Sequence, residues 1–232
     1  VFLDANRNGL LDDGEVQQTT DVVGNYAFLD LPLGIYVVAE VPQTGWQLTA
    51  PVSVREIAQI GPTEWVYENY GNLAAISGDG QVITFRSETT TLVAGDTNGV
   101  ADIFVLDLVL GTLERVSVAT DGTQATGHSF DPSISADGRY VAYRSAANNL
   151  VPGDTNNQHD IFVRDRQTGQ TRRVSVNSSG TQSNGYSSEP ILSESGRYVV
   201  FHSGSNNYVT GDTNGVHDTF IYDLQTGTMQ RA

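Results

Sequence analysis

Residues 95–107 of this chain read GDTNGVADIFVLD, and the sequence repeats the stretch as GDTNNQHDIFVRD at 153–165 and as GDTNGVHDTFIYD at 211–223. The first aspartate of the stretch recurs at a constant step of 58 residues, at Asp96, Asp154 and Asp212. Glycines elsewhere in the chain keep the same step, at Gly80, Gly138 and Gly196. An ungapped period of this length indicates one supersecondary unit repeated along the chain, so fold and function are argued per repeat.

The second copy shows the repeated unit most clearly. SFDPSISADGRYVAYRS at 129–145 predicts two strands joined by a hairpin turn at 136–138, because Asp-Gly is a strong turn signal. A polar loop leads to the strand DIFVRD at 160–165, and a turn containing Gly169 leads to a fourth strand, TRRVSV, at 171–176. Four short antiparallel strands repeated in series are typical of a β-propeller blade.

The pieces S-x-D-G-R-Y-V-A-Y and D-I-F-V-x-D-x-x-T-G of this repeat resemble the TolB-type, WD-like propeller repeat of bacterial exported proteins. The resemblance covers about 64–232 and implies an all-β array of three four-stranded blades with a 58-residue repeat. The third copy stops at Ala232, partway through its predicted fourth strand, so we expect a truncated last blade. The resemblance implies a fold more than an activity, since propellers host many functions.

Three blades raise a question of closure. Propellers typically close with about four to eight blades, so three leave the faces of the terminal blades open. We expect the missing blades to come from a longer natural chain or from other copies of this one. Copies related by a two-fold axis would close a ring, whereas a head-to-tail arrangement that does not close would give a filament.

A second motif lies near the start of the chain. Residues 4–15 read DANRNGLLDDGE and match the calcium loop D-x-[DN]-x-[DN]-G-x5-E at every specified position. Calcium takes about six to eight oxygen ligands, and the loop offers carboxylate, amide and backbone carbonyl oxygens in that number. The alternative is an acidic polar turn, which we consider less favoured because five constrained positions rarely agree by accident. The predicted ligands are Asp4, Asn6, Asn8, Leu10 through its carbonyl, Asp12 and Glu15.

The residues after this loop have the period-2 pattern of half-buried strands. Tyr26 and Phe28 alternate with small or polar neighbours, as do Ile35, Val37 and Ala39. The order F-x-D-x-N-x-N-G-x-x-D-x-G-E, TD-x-x-G-x-Y-x-F, L-P-x-G-x-Y and P-x-G-W resembles the B-type repeat of bacterial surface proteins, the SdrD B-like or Cna-B-like sandwich. The resemblance covers about 1–51 and implies a calcium-binding stalk module.

Two departures from that family pattern bear on the module. The strand that normally precedes the loop is missing, and so is the segment between the loop and the TD-x-x-G strand. We therefore predict a small and incomplete Ig/prealbumin-like β-sandwich at 1–50 that takes a strand from elsewhere. Residues 51–63, which contain Pro51 and Gly61-Pro62, are predicted to be a linker, and the propeller-type array is predicted at 64–232.

The repeated loops carry the pattern D-x-N-[GN]-x-x-D, whose spacing resembles positions three, five and nine of a calcium loop. The position-one ligand is replaced by Ala94, Pro152 and Thr210. Two alternatives stay open: a weaker metal site, or turns in which Asp and Asn side chains tie the loop to its own backbone. The residues concerned are Asp96, Asn98, Asp102, Asp154, Asn156, Asp160, Asp212, Asn214 and Asp218.

Composition excludes several classes of function. The formal net charge is −15, from 27 acidic and 12 basic residues, and every basic residue is arginine. This balance argues against nucleic-acid binding, which needs a cationic surface, and no apolar run is long enough for a transmembrane helix. Cysteine and lysine are absent, which removes disulfides, thiolate chemistry and lysine-based covalent catalysis.

Motifs of catalysis are also missing from the sequence. We find no H-E-x-x-H, G-x-S-x-G, G-x-G-x-x-G or phosphate loop. Two of the four histidines, His159 and His217, occupy equivalent repeat positions, which favours an architectural role over a site. A carboxylate pair of the kind used in glycoside hydrolysis stays a minor alternative.

The sequence thus predicts a non-enzymatic, calcium-stabilised bacterial protein of the cell surface or extracellular space. We expect it to act as a scaffold, adhesin or fibre subunit that associates with copies of itself, and a surface glycan or protein is a further candidate partner. The alternative is a ligand-binding propeller for glycan or peptide, or a catalytic one. The two hypotheses differ in one structural feature: a site needs convergent polar groups that differ between blades, whereas a scaffold does not.

Overall fold

The computed structural model of the chain describes residues 2–3, 12–17, 19, 38–39 and 74–232. The chain divides into two compact units, Val1–Asn69 and Tyr70–Ala232. The predicted module at 1–50 and the predicted linker at 51–63 fall in the first unit, and the predicted array at 64–232 begins in the first unit and includes all of the second.

The described part of the first unit contains one small sheet. Strand β1 (Phe2–Leu3) pairs antiparallel with β2 (Val38–Ala39), and Phe2 is fully buried. Phe2 also forms an isolated antiparallel bridge with Gln17, which follows the predicted calcium loop. The other strands expected for the sandwich lie outside the described residues, so the B-type module stays a prediction.

The second unit consists of three four-stranded antiparallel sheets, named blades 1, 2 and 3. Blade 1 contains β3 (Ala74–Ile76), β4 (Val82–Ser87), β5 (Asp102–Asp107) and β6 (Thr112–Arg115). Blade 2 contains β7 (Ser129–Ile134), β8 (Tyr140–Ser145), β9 (Asp160–Asp165) and β10 (Gln170–Arg173). Blade 3 contains β11 (Ser187–Leu192), β12 (Tyr198–Ser203), β13 (Asp218–Asp223) and β14 (Thr228–Arg231).

In each blade the strands pair in chain order, so the connections are consecutive hairpins. The prediction of an all-β chain with three four-stranded propeller-type blades is confirmed for the described residues, which contain no helix. In particular, no helix among them has the length and apolar character needed to cross a bilayer.

Each blade has an aromatic pair on its two middle strands. The paired rings are direct cross-strand neighbours in the register, and in blade 2 Tyr143 lies 6.0 Å from Phe162. Such pairs are a main source of sheet stability, since the rings pack on one pleated face. The equivalent pairs are Phe85 with Phe104 and Phe201 with Phe220.

The hairpin turn predicted at 136–138 is confirmed. Gly138 has φ +70°, which an L-residue with a side chain rarely adopts. Asp137 Oδ1 accepts hydrogen bonds from the Ser135 hydroxyl at 2.5 Å and from the Arg139 N–H at 3.0 Å. The aspartate therefore fixes the turn that the Asp-Gly signal predicts.

The fourth strand of blade 2 is shorter than the predicted 171–176. It ends at Arg173, because the Ile161 N–H donates to the Ser175 hydroxyl at 3.1 Å instead of to a backbone carbonyl. In blade 3 the fourth strand has four residues, the same length as β10. The truncation predicted for the last blade therefore does not remove a strand from this sheet. The sequence ends one residue before the position equivalent to Ser175.

The hydrophobic core lies between blades. Strand β7 packs on β3, β4 and β5 of blade 1, and β11 packs on β7, β8 and β9 of blade 2. One buried cluster joins blades 1 and 2 through residues such as Val105 and Val141, and another joins blades 2 and 3 through residues such as Val163 and Val199. Within residues 74–232, each blade therefore buries apolar surface against its neighbour.

Candidate functional sites: the acidic loops and an arginine–aromatic cluster

The two aspartates of each repeated loop share one arginine. In blade 2, Arg173 Nη1 lies 3.1 Å from Asp154 Oδ1 and 3.3 Å from Asp160 Oδ2. Asp160 begins β9 and Arg173 ends the adjacent β10, so the hairpin brings them together. Both charges are withdrawn from water, with 0% of the Asp160 side chain and 8% of the Arg173 side chain exposed.

The remaining groups of the loop complete this network. Asn156 Nδ2 donates to Asp160 Oδ2 and to the Ser183 carbonyl, both at 3.0 Å. Asn156 Oδ1 accepts the Gln158 N–H at 3.0 Å, which is a side-chain turn on the loop's own backbone. The Ser175 hydroxyl donates to Asp160 Oδ1 at 2.5 Å. Both oxygens of the buried carboxylate thus have donors.

The other two blades repeat the arrangement. In blade 1 the Arg115 Nη1 lies 2.9 Å from Asp96 Oδ1 and 3.4 Å from Asp102 Oδ2, and Ser117 donates to Asp102. In blade 3 the Arg231 Nη1 lies 3.0 Å from Asp212 Oδ1 and 3.4 Å from Asp218 Oδ2. Asn98 and Asn214 each bond the following aspartate, as Asn156 does.

Burial governs the titration of these carboxyls. Desolvation raises the pKa of Asp102 and of Asp160, against the lowering effect of the serine, asparagine and arginine contacts. Desolvation also raises the pKa of Asp154, and the nearby Asp160 charge adds to that rise. The arginine is the positive charge that keeps two neighbouring buried carboxylates compatible with the fold.

The loop geometry favours the turn alternative over the metal alternative. All nine predicted residues belong to these networks, and in each loop an arginine guanidinium lies between the two carboxylates. A calcium ion would have to displace that arginine, because it needs the same oxygens. Arg115, Arg173 and Arg231 are not among the residues predicted for these loops, although they also recur at the 58-residue step.

The stronger calcium loop, 4–15, is described only in its second half. Asp12 and Glu15 lie in one turn, in which the Asp12 N–H donates to Glu15 Oε2 at 3.1 Å and the Glu15 N–H to the Asp12 carbonyl at 3.3 Å. Gly14 supplies the positive φ of that turn, +95°. Asp4, Asn6, Asn8 and Leu10 lie outside the described residues. The described portion of the chain contains no group of three or more potential metal ligands, and calcium binding stays a prediction.

A second cluster lies where the three blades meet, around Phe130. Phe130 on β7 is the cross-strand neighbour of Arg144 on β8, and the Arg144 guanidinium carbon lies 4.6 Å from the centre of the ring. Arg86, at the end of β4 in blade 1, lies 4.9 Å from the same ring centre. Two arginines from different blades therefore contact one aromatic ring, an attractive cation–π arrangement.

Further rings extend this arginine–aromatic cluster. His128 and His159 stack on Phe130 with centroid distances of 5.8 and 6.1 Å. Tyr186 of blade 3 lies 5.1 Å from His159, and its hydroxyl accepts a hydrogen bond from Arg144 Nη1. Burial lowers the pKa of His159, and the Arg144 charge lowers it further.

Asp131 supplies a negative charge beside the Arg144 guanidinium. It lies in a β-bulge of β7 with φ +53°, and its carboxylate Oδ2 lies 2.9 Å from Arg144 Nε. Bulges redirect side chains, and a non-glycine residue at positive φ stores some strain. Desolvation raises the pKa of Asp131 and lowers that of Arg144, while each group's charge opposes the shift of the other.

The cluster is asymmetric with respect to the repeat. The position of Arg86 and Arg144 is His202 in blade 3, and the position of Phe130 is Ser188 there. The position of His159 is Ala101 in blade 1. Sequence analysis did not identify this group, although the in-register pairing of an aromatic residue with an arginine across the Asp-Gly hairpin was a usable signal.

Several solved structures are similar to this chain. The sequence matches no protein-family model, and no curated protein matches it. The structure is similar to a putative TolB from Agrobacterium tumefaciens, with 20% identity and a TM-score of 0.43 over 67% of this chain and 46% of that one. It is also similar to TolB from Acinetobacter baumannii, with 22% identity and a TM-score of 0.43 over 68% of this chain and 31% of that one.

A third similar structure is dipeptidyl peptidase 4 from Porphyromonas gingivalis, with 14% identity and a TM-score of 0.45 over 71% of this chain and 26% of that one. The chain spans less than half the length of each of these proteins. TolB proteins and enzymes both occur among the similar structures, and the likeness assigns no role to this chain. None of these comparisons supports the B-type module at 1–51.

Proposed function

We propose that the chain is a non-enzymatic, calcium-stabilised structural protein of the bacterial cell surface or extracellular space, acting as a scaffold, adhesin or fibre subunit. The observation that carries the proposal is the use of the repeated acidic groups. In each of the three loops, both aspartates form ion pairs with one arginine of the same blade. The charged groups that recur in all three blades therefore stabilise the blades themselves.

The same network bears on the source of calcium dependence. Since the blade loops hold an arginine between their carboxylates, calcium stabilisation is assigned to the solitary loop at 4–15. That loop belongs to the unit Val1–Asn69, which also contains both tryptophans, Trp46 and Trp65. Tryptophan fluorescence thus reports on the unit with the proposed calcium loop, and tyrosine near-UV circular dichroism reports mainly on the blades.

The test is thermal unfolding of the full chain in calcium and in EDTA, followed by both signals. We expect EDTA to lower the tryptophan-detected Tm and to leave the blade transition in place. Glu15→Gln should abolish the calcium response, because it removes the bidentate carboxylate of the loop. Glu114→Gln, a change at an exposed carboxyl of blade 1, is the matched control. An EDTA effect on the blade transition alone would overturn the assignment.

A second candidate function, binding of a glycan or peptide, is favoured by one observation. The arginine–aromatic cluster has the asymmetry between blades that a binding site requires, and His128, Phe130, His159 and Tyr186 are all at least partly exposed. Aromatic rings beside arginines suit sugar rings or peptide side chains.

Glycan and peptide arrays probed with the full chain test this second function. His159→Ala should weaken binding at least about tenfold if the stacked rings form the site, which corresponds to about 1.4 kcal/mol. His217→Ala, at the equivalent position of blade 3, is the control because its ring is outside the cluster. Equal loss of binding in both variants would contradict a site at the stacked rings. Hydrolysis of the bound molecule would contradict a non-enzymatic role.

A further inference from the structure

Consecutive blades contact each other through one repeated pairing of a side chain with a glycine. Val82 of blade 1 packs on Gly138 of blade 2, where an added Cβ would lie 2.9 Å from Val82 Cγ2. Tyr140 of blade 2 packs on Gly196 of blade 3, where an added Cβ would lie 2.6 Å from Tyr140 Cδ2. These positions are related by the 58-residue step, so the contact is a property of the repeat.

A backbone hydrogen bond accompanies each of these contacts. The Gly78 N–H donates to the Ala136 carbonyl at 2.9 Å, and the Ala136 N–H donates to the Glu194 carbonyl at 2.9 Å. The three residues are equivalent positions of the three hairpins. The Glu194 N–H is therefore the next donor of this series, and it has no acceptor among the described residues.

The first strand of each blade supplies a third contact. Ala75 of blade 1 packs against the core cluster that includes Ile134 of blade 2, and Ser133 of blade 2 accepts the Leu192 N–H of blade 3 at 2.9 Å. The equivalent residue of blade 3 is Ile191, which is 57% exposed. Tyr198, the blade 3 equivalent of Val82 and Tyr140, is 37% exposed.

We propose that this face of blade 3, formed by Ile191, Glu194 and Tyr198, binds blade 1 of a second copy of this chain. Blade 1 has the matching groups: Gly80 stands at the position of Gly138 and Gly196, and the Gly78 carbonyl at that of Ala136 and Glu194. A Cβ added at Gly80 meets only Ile76 Cδ1 at 4.0 Å among the described residues.

The occupant is a second copy because the new contact continues an interface that the chain already forms twice. Ile134 and Leu192, which lie buried at the two existing junctions, correspond to Ile76 of blade 1, which is half-buried. Contacts of this kind join unlike surfaces, so association is head-to-tail and not two-fold symmetric across one patch. The inference rests on the proposed scaffold role, to which it adds the partner and the mode of assembly.

Sedimentation velocity of the full chain over a range of concentrations tests the inference. We expect association that Tyr198→Glu weakens at least about tenfold, because a carboxylate cannot pack on a glycine in an apolar contact. Ile76→Ser should weaken association from the blade 1 side. Leu110→Glu is the matched control, since Leu110 is 72% exposed at the tip of the β5–β6 hairpin and makes no blade-to-blade contact.

Mixing the two variants tests the head-to-tail geometry. Tyr198→Glu retains an intact blade 1 face, and Ile76→Ser retains an intact blade 3 face, so an equimolar mixture should regain a dimer that neither forms alone. Circular dichroism melting checks that each variant is folded, and if Ile76→Ser is not, a fluorophore-labelled wild-type chain capped by excess Tyr198→Glu replaces the mixture.

Three results would overturn the inference: a wild-type monomer at all concentrations, association unchanged by Tyr198→Glu, or failure of the mixture to associate. The calcium response of the tryptophan-detected Tm is measured on the same samples. A monomer that keeps this response overturns the docking alone. An associating chain without the response overturns the calcium-stabilised role alone.

Discussion

Tyr140 of blade 2 packs so closely on Gly196 of blade 3 that a Cβ atom at position 196 would lie 2.6 Å from Tyr140 Cδ2. The glycine is also at φ +69°, a conformation that costs other residues about 1–2 kcal/mol. The close contact with Tyr140 and the positive φ therefore each favour glycine at position 196, and substitutions can separate the two effects. Gly211 has only the positive-φ requirement, since its φ is +82° and no atom lies within 4 Å of an added Cβ.

We predict that Gly196→Ala destabilises the blades more than Gly211→Ala. Both variants carry the cost of a positive φ, whereas only Gly196→Ala adds overpacking against Tyr140, which typically costs about 1–3 kcal/mol. Urea unfolding followed by near-UV circular dichroism gives the difference in unfolding free energy. Equal destabilisation of the two variants would mean that the Tyr140 ring moves away from Gly196 at no cost in free energy. That result would contradict a stabilising role for this contact between blades.

How far the sequence alone predicts this fold is clear from the glycines. The 58-residue step identified Gly80, Gly138 and Gly196 as landmarks, and the Asp-Gly signal gave the hairpin turn. The second reason for glycine at 138 and 196, the side chain of the previous blade, required the structure. A pattern along one repeat contains no information about which residue of the neighbouring repeat packs on it.

The acidic loops show the same difference between what the sequence predicts and what only the structure shows. Their spacing correctly drew attention to Asp154, Asn156 and Asp160 as one unit, and the structure brings all three into one network. The sequence could not rank metal against turn chemistry, because the decisive group is Arg173, 13 residues from Asp160 in a different strand. Only the hairpin register places that charge between the carboxylates.

Arg173→Gln should destabilise blade 2 by about 3–5 kcal/mol, because it leaves two neighbouring buried carboxylates without their counter-charge. Arg172→Gln is the matched control, since it removes the same charge from the adjacent residue, which has no part in the acidic network. Chemical denaturation of both variants gives the comparison. If added calcium restored the Arg173→Gln variant to wild-type stability, the emptied loop would be a latent metal site.

Acid unfolding should depend on Asp165. Arg139 Nε and Nη2 donate to its two oxygens at 2.9 and 2.7 Å, and these bonds lower the pKa of Asp165 from 3.8 to about 2. Because the folded-state pKa is lowered, this pair stabilises the fold above the ordinary pKa, and the contribution disappears as pH falls from about 4 to about 2.

Asp165→Asn should therefore show a smaller loss of stability than the wild-type chain over that pH window. Arg139→Gln should flatten the profile in the same way, since it removes the donor that lowers the pKa. Denaturant melts at several pH values provide the measurement. A wild-type slope retained in both variants would show that other carboxyls govern acid unfolding.

Blade 1 lacks this pair, which allows a gain-of-stability test. Gln81 stands at the position of Arg139 and Arg197, while Asp107 stands at that of Asp165. The backbone is equivalent, since the Leu108 N–H bonds the Gln81 carbonyl at 2.8 Å as the Arg166 N–H bonds the Arg139 carbonyl at 3.0 Å. Gln81→Arg should therefore place a guanidinium on Asp107.

The expected gain is about 0.5–1 kcal/mol in unfolding free energy, the range of a partly exposed ion pair. Gln81→Lys is the control, because it adds the same charge without the planar fork that holds both carboxylate oxygens. Raising the salt concentration should reduce the gain of Gln81→Arg, since screening weakens exposed charge pairs. A gain of equal size from lysine would attribute the effect to net charge, which is −15 in the parent chain, and not to the geometry shared by the blades.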